Sequence, residues 1–193
     1  MEFLTNREDI LDWLEDHLEL PEMHDVDYNP TSSDIRNSSS IKIDAQGQVS
    51  IEEWADLNLT DEPSIPIKFD TIDGNFSIYS FGLTSLAGCP RFVKNDFSCF
   101  APVSNLEGGP KIVGKDYDIS KCKKLTSLIG LASSIKGRLI LPWDPSLPLL
   151  RIFYVRPGLK EVLFVNSKYP DETNQIWAII DRRSEEHTSE LQS

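Results

Sequence analysis

The chain has 193 residues, is 39% hydrophobic and carries a formal net charge of −12, which fits one domain with a buried core. No stretch of 18 apolar residues is present, so no membrane span is expected, and the first residues lack the basic and apolar regions of a secretory signal. The three cysteines, Cys89, Cys99 and Cys122, have neither a disulfide framework nor a paired metal-binding spacing. A cytoplasmic protein without a metal or cofactor is therefore predicted.

Residues 1–22 are predicted to form an amphipathic helix. Thr5 and Glu8 have the spacing of a capping box with Thr5 at the N-cap, and Pro21 ends the helical pattern. Apolar residues recur between them at helical spacing, namely Ile10, Trp13, Leu14 and Leu18. We expect this helix to cover the open end of a repeat core, and partner binding is the alternative.

A polar loop and a small hairpin are predicted next. Residues 23–40 are rich in Ser, Asn and Asp, which indicates a flexible loop. Within residues 41–71, the apolar runs 41–43 and 49–51 flank Gly47 and predict a hairpin. The rest of this segment is interpreted as a degenerate leading repeat.

Residues 72–150 contain four repeats. Phe76, Phe97, Tyr117 and Leu139 are spaced 21, 20 and 22 residues apart. Each unit opens four residues earlier with an apolar side chain, at Ile72, Val93, Val113 and Ile135. Alternation around the first positions predicts one short strand per unit. A second apolar pair follows at Leu83/Leu86, Val103/Leu106, Leu125/Leu128 and Leu147/Leu150, and turns at Gly88, Gly108 and Gly130 close the first three units. This period is typical of a solenoid.

The repeat motifs are Gly74-Asn-Phe76, Leu83-Thr-Ser-Leu86-x-Gly88-x-Pro90 and Leu125-Thr-Ser-Leu128-x-Gly130. They resemble leucine-rich repeats, most of all the divergent kind found in large tailed bacteriophages. The resemblance implies a phage-encoded α+β solenoid with repeats of about 20–22 residues, one short strand in each, and helices at its ends. Where such repeats have a stacking Asn, this chain has Phe81, Pro102, Cys122 and Asp144, which predicts a less regular coil.

The last part of the chain is divided into two segments. Residues 151–182 are predicted to hold two strands, at 152–155 and 162–165, and a capping helix that begins near Asp171. Residues 183–193 resemble the in-frame translation of a sequencing adapter, so we interpret them as an artefact and expect the native chain to differ after Arg182.

The outward positions of the predicted strands form one face of the solenoid. Tyr79, Phe100, Asp118 and Trp143 lie on this face, and aromatic residues are the commonest anchors of protein interfaces. We therefore predict a non-enzymatic module that binds a host or virion protein through this face. No nucleophile elbow, phosphate loop or zinc spacing is present in the sequence.

Two other functions are kept as alternatives. Residues 1–70 carry 18 acidic and 4 basic residues, and residues 71–182 carry 10 and 14, so only the second part has a net positive charge. Its basic residues, chiefly Lys121, Lys123 and Lys124, with Lys111, Lys115, Lys136 and Arg138, predict weak nucleic-acid binding that the acidic part opposes. In the second alternative, the repeats are the targeting arm of a larger enzyme that continues past residue 182.

Overall fold

The computed structural model describes residues 2–20, 33–144, 146–155 and 158–165, and these residues form a solenoid of about five turns. In chain order the elements are α1 (Arg7–His17), β1 (Leu18–Glu19), α2 (Ser33–Asn37), β2 (Ile41–Ile43), β3 (Gln48–Ile51), β4 (Ala55–Leu59), β5 (Lys68–Ile72), β6 (Phe76–Ser80), β7 (Phe92–Val93), β8 (Phe97–Phe100), β9 (Ile112–Val113), β10 (Tyr117–Asp118), β11 (Ser134–Ile135), β12 (Arg138–Pro142), a 3-10 helix (Leu149–Arg151), α3 (Ile152–Val155) and β13 (Glu161–Val165).

Each turn of the solenoid places one strand in each of two sheets. Sheet A has the order β1-β4-β6-β8-β10-β12-β13, and sheet B has the order β11-β9-β7-β5-β3-β2. Neighbouring strands of successive turns are parallel, whereas β1 with β4 and β2 with β3 are antiparallel pairs at the N-terminal end. The predicted solenoid is confirmed. The prediction of one short strand per repeat is wrong, because each turn has a second strand in sheet B.

The predicted repeat positions lie in register on sheet A. Phe76 pairs with Phe97, Phe97 with Tyr117, and Tyr117 with Leu139, and all four side chains are fully buried. The ring centroids of Phe76 and Phe97 are 6.2 Å apart, and those of Phe97 and Tyr117 are 4.8 Å apart. Sheet B contributes its own inward column, formed by Ile72, Val93, Val113 and Ile135. The hydrophobic core therefore lies between the two sheets, where each turn buries its apolar face against the next.

Glycine turns close the first three repeats as predicted. The backbone angle φ is +102° at Gly88, +85° at Gly108 and +89° at Gly130, a conformation that L side chains rarely adopt. The leucine-type pairs that precede these turns are buried. Leu150 is different, since it is 70% exposed and lies in the 3-10 helix that replaces the glycine turn in the fourth unit. The prediction that Leu150 reaches the core is wrong.

A ladder of polar side chains runs along the corner that leads into sheet A. Asn75 Oδ1 accepts from the Asp96 N–H at 3.3 Å, and Asp96 Oδ1 accepts from the Asp116 N–H at 2.9 Å. Asp116 Oδ1 in turn accepts from the Arg138 N–H at 2.7 Å. From the sequence we expected no stacking ladder. One is present, but it lies just before the inward column of sheet A instead of five residues after it. It satisfies backbone donors of three successive turns.

The helix α1 packs on the N-terminal end of the solenoid, where Ile10 and Leu14 are fully buried. Its N-cap is Asn6, whose side chain accepts from the N–H of Glu8 at 2.8 Å. The predicted N-cap at Thr5 is therefore wrong by one residue. The antiparallel strands β2 and β3 form the hairpin that was predicted after the polar loop.

Part of the predicted flexible loop is helical. Residues Ser33–Asn37 form α2, and its Arg36 makes ion pairs with three acidic residues of α1, namely Glu8, Asp12 and Glu15. This cluster attaches α2 to α1 beside the capped end of the core. Residues 21–32, which are the rest of that loop, lie outside the described residues.

The C-terminal part differs from its predicted local structure in one place. Residues Ile152–Val155 were expected to form a strand but form α3, with Ile152 and Val155 buried at helical spacing. The other predicted strand is present as β13, which pairs with β12 at the edge of sheet A. The predicted capping helix near Asp171 and the segment 183–193 lie outside the described residues.

Candidate functional site

Two aromatic side chains stack on the outer face of sheet A. Tyr79 on β6 and Phe100 on β8 are partners in the parallel register, so their side chains leave the sheet side by side. Their ring centroids are 4.7 Å apart and their planes differ by 16°. Tyr79 is 47% exposed and Phe100 is half-buried. The alternation seen in the sequence therefore assigns both rings to the correct face of the sheet.

Phe81 extends this group, although sequence reasoning did not include it. Its side chain is 86% exposed, the largest exposed fraction among the exposed large apolar residues of the described chain. Ser80 is buried, and its Oγ accepts from the N–H of Leu83 at 2.8 Å, which turns the chain immediately after β6. Phe81 is therefore exposed at the end of β6, two residues after Tyr79 along the chain. We call Tyr79, Phe81 and Phe100 the aromatic patch.

Trp143 does not join the aromatic patch, whereas Asp118 pairs with Ser98, two residues before Phe100 on the same face of β8. The column that passes through Tyr79 and Phe100 is interrupted at Ser120, which is buried and donates its N–H to Asp118 Oδ1 at 2.9 Å. Trp143 lies at the other end of sheet A, with its ring edge-on to Phe164 at 5.5 Å. Of the four residues predicted to form one binding face, Trp143 therefore lies in another region of sheet A.

Acidic side chains border the aromatic patch on one side. Asp56 on β4 pairs with Ser77, two residues before Tyr79 on the same face, and its other neighbour in the sheet is Glu19. The Phe81 N–H donates to the Thr60 carbonyl oxygen at 3.2 Å, which places Phe81 beside the exposed residues Asp61 and Glu62. The apolar centre of the patch thus has a rim of negative charge.

The lysines that were grouped in the sequence lie in three different places. Lys121, Lys123 and Lys124 are exposed in the turn that follows β10. Another basic group stands at the opposite end of the sheet A strands, at the corner that leads into them, and contains Lys115, Lys136, Arg138 and Lys160. Lys111 is exposed immediately before β9, in sheet B. A single lysine surface, as the sequence suggested, is not formed.

The cysteines are part of the core. Cys89, Cys99 and Cys122 are all free thiols with buried side chains, as expected for Cys99 from its inward strand position. The Cys122 thiol donates to the Cys99 carbonyl oxygen at 3.3 Å. Within the described ranges, no group of three or more His, Cys, Asp or Glu residues is placed so that it could hold a metal ion.

These features define the described part of the chain as a two-sheet parallel β-solenoid that carries an exposed aromatic patch and a separate basic corner. No protein-family model, curated protein or solved structure matches the chain. Across the residues that the structure describes, no helix has the length and apolar character needed to span a membrane.

Proposed function

We propose that this solenoid is a non-enzymatic protein-interaction module that binds its partner through the aromatic patch on sheet A. The observation that supports this proposal is the in-register stack of Tyr79 on Phe100 beside Phe81, which is 86% exposed. Contiguous exposed aromatic groups are rare on monomeric proteins. Covering them with a partner is favourable, so such a group marks an interaction site. Complete burial of one Phe side chain contributes about 2–3 kcal/mol.

The charges around the patch indicate the chemistry of the partner. Asp56, Asp61 and Glu62 form an acidic rim on one side of the aromatic centre. A partner with an apolar or aromatic centre and Lys or Arg residues at its edge would be complementary to this surface, and it would be steered towards it by the net negative N-terminal part of the chain. The strand scaffold holds Tyr79 and Phe100 in place before binding, which lowers the entropic cost of association.

Peptide display tests the proposal. Peptides are selected on the wild-type protein, and their affinities for Tyr79→Ser/Phe81→Ser/Phe100→Ser are then measured by fluorescence anisotropy. We expect selected peptides to combine aromatic and basic residues and to lose about tenfold or more in affinity for the triple variant. The control is Ile112→Ser/Ile129→Ser, which removes two other exposed apolar side chains, 41% and 43% exposed. Peptides that bind the triple variant as well as they bind wild type would rule out the patch.

The resemblance to divergent leucine-rich repeats of tailed bacteriophages extends this proposal to a phage-encoded module that binds a host or virion protein. Nucleic-acid binding by Lys121, Lys123 and Lys124 is the second candidate, and it is favoured only by the exposure of all three ammonium groups on one turn. It predicts an affinity that falls steeply with salt concentration. A targeting arm of a larger enzyme is tested by sequencing the gene past codon 182.

A further inference from the structure

A basic cleft lies at the corner where successive turns pass from sheet B to sheet A. Its volume is about 310 Å³, and it is formed by residues of the segments that join β7 to β8, β9 to β10 and β11 to β12, together with Lys160 before β13. The charged residues that line it are Lys115, Lys136, Arg138, Lys160, Asp96 and Asp116. This cleft is separate from the aromatic patch.

Two glycines allow the turns to pack closely beside the cleft. Gly114 and Gly137 line it, and a Cβ atom at either position would collide with the preceding turn, at the Lys94 carbonyl oxygen and at Asp116 respectively. Consecutive turns are joined here by hydrogen bonds from the Gly137 N–H to the Lys115 carbonyl oxygen and from the Lys160 N–H to the Gly137 carbonyl oxygen, both 2.9 Å. Backbone of successive turns therefore packs closely at this corner, where lysines of three turns line the cleft.

The carboxylates of the cleft are already engaged. Asp116 Oδ2 accepts from Arg138 Nε at 2.8 Å and from Nη2 at 2.5 Å, and Oδ1 accepts from the Arg138 N–H. Partial burial of Asp116 opposes its ionisation, but the hydrogen bonds and charge of Arg138 prevail and lower the pKa of this carboxyl, and Lys160 adds to the effect. Asp96 accepts from the Asp116 N–H. Asp116 is therefore ionised and neutralises Arg138.

The lysines are not neutralised in the same way. Among the residues that the structure describes, no carboxylate lies within ion-pair distance of the ammonium groups of Lys115, Lys136 or Lys160. An ideal Cβ at Gly158 would lie 3.3 Å from Lys136 Nζ, so this ammonium group rests against the chain that enters β13. The residues that line the cleft are four cations and two carboxylates, and one further carboxylate, that of Glu161, lies nearby, paired with Arg138 in the register. The corner keeps an excess of positive charge in a protein whose net charge is −12.

We propose that this corner cleft binds a small molecule that carries a phosphate monoester group. Its excess positive charge favours an anion, and Lys115, Lys136 and Lys160 of successive turns line it and carry ammonium donors. A concave site concentrates the field of like charges and raises the local concentration of an anion. The volume is at the lower end of small-molecule sites, which span about 300–1,000 Å³, so the ligand is a compact phosphorylated metabolite.

NMR titration of the full chain tests this site. Inorganic phosphate and glycerol phosphate are added at constant ionic strength, with glycerol as the uncharged control, and the amide resonances of Gly114 and Gly137 are followed. We expect saturable shifts with both phosphates and none with glycerol. In Lys115→Gln/Lys136→Gln/Lys160→Gln, the dissociation constant should rise by about tenfold or more. The matched control is Lys121→Gln/Lys123→Gln/Lys124→Gln, which removes the same charge at the other end of the strands and should change the constant by less than about twofold.

Three results would overturn the proposal. These are linear shifts without saturation, an equal loss of affinity in the two triple variants, and resonances of Gly114 and Gly137 that respond to an oligonucleotide but not to either phosphate. An equal loss would mean that overall charge, and not the cleft, attracts the anion. If the first triple variant is not folded by circular dichroism, Lys136→Gln alone is titrated, and an unchanged dissociation constant for it contradicts the site.

Discussion

The turn at Gly108 offers a direct test of how the solenoid turns stack. Its φ of +85° lies in the left-handed region, and an added Cβ would stand 2.5 Å from the Ala87 nitrogen and 2.6 Å from the Ala87 Cα. Both atoms are backbone atoms of the preceding turn, so they have no side-chain freedom with which to move aside. Gly108→Ala should therefore disturb the contact between two turns as well as the local backbone.

The size of the effect follows from three contributions. Holding Ala in the left-handed region costs about 1–2 kcal/mol. An ordinary carbon contact requires the two turns to separate by roughly 1 Å, which would lengthen a hydrogen bond worth about 1 kcal/mol beyond its useful range. The unfolded chain has less conformational entropy with Ala than with Gly, which offsets about 0.4–1 kcal/mol of this loss. We expect a net loss of about 2 kcal/mol, or a decrease of roughly 4–8 °C in Tm for a chain of this size.

Gly109→Ala is the matched control for Gly108→Ala. Gly109 has no positive φ, and its added Cβ would meet first the flexible methyl Cδ1 of Leu86 at 3.0 Å. The Cβ would also stand 3.1 Å from the Leu106 carbonyl oxygen, so the loss for Gly109→Ala should be about 1 kcal/mol, at the low end of the cost of overpacking and smaller than that of Gly108→Ala. Urea unfolding followed by circular dichroism measures both variants. Equal losses in the two, or wild-type stability for Gly108→Ala, would refute the close approach of the turns deduced from the backbone.

Three further predictions concern the core, the corner and the thiols. Leu128→Ala should lower the free energy of unfolding by about 2–5 kcal/mol, while Leu150→Ala should change it by less than about 0.5 kcal/mol, and similar urea midpoints would contradict the exposed placement of Leu150. Arg138 lowers the pKa of the Asp116 carboxyl in the folded protein. The ionised carboxylate therefore stabilises the fold fully above the ordinary carboxyl pKa of about 3.9, and this stabilisation is lost as the pH falls through the lowered pKa of the folded state. Urea unfolding at a series of pH values should therefore show a smaller acid loss in Asp116→Asn than in wild type, and identical pH profiles would refute the assignment. Burial raises the pKa of the Cys89 thiol, and the other two thiols are buried too, so a thiol-reactive dye should label the protein only as urea unfolds it; rapid labelling of the native protein would contradict this.

The inward columns of sheet A could be predicted because their side chains are large and recur at nearly constant spacing. A period of 20–22 residues places Phe76, Phe97, Tyr117 and Leu139 on top of one another in any parallel solenoid. The glycines that turn the chain were predictable for the same reason, since only a residue without Cβ adopts their φ easily. Both signals are local and repeated, so they survive divergence between units.

The short strands of sheet B in the last three repeats could not be identified in the same way. β7, β9 and β11 contain two residues each, and only the second residue of each pair is buried. A strand with a single inward side chain shows no alternation of apolar and polar residues. The sequence pattern that marks a strand is therefore absent, although the backbone is paired. The polar ladder was missed because it was expected at the position that leucine-rich repeats use, where Phe81 stands. The exposed Phe81 was therefore treated as a missing asparagine and not as a member of the surface.

The basic residues show why distance along the chain is a poor guide to sites in a solenoid. Lys121, Lys123 and Lys124 are neighbours in sequence, and they share a single turn after β10. Lys115, Lys136 and Lys160 are 21 and 24 residues apart, close to the length of one turn, and the corner brings them to one cleft. Because parallel stacking aligns positions about one period apart, charges separated by one period lie on the same corner, whereas neighbours in sequence stay within a single turn. Comparison of the two lysine triple variants therefore tests the phosphate site and also the general rule that the repeat period, and not sequence proximity, determines which side chains on this solenoid share a ligand.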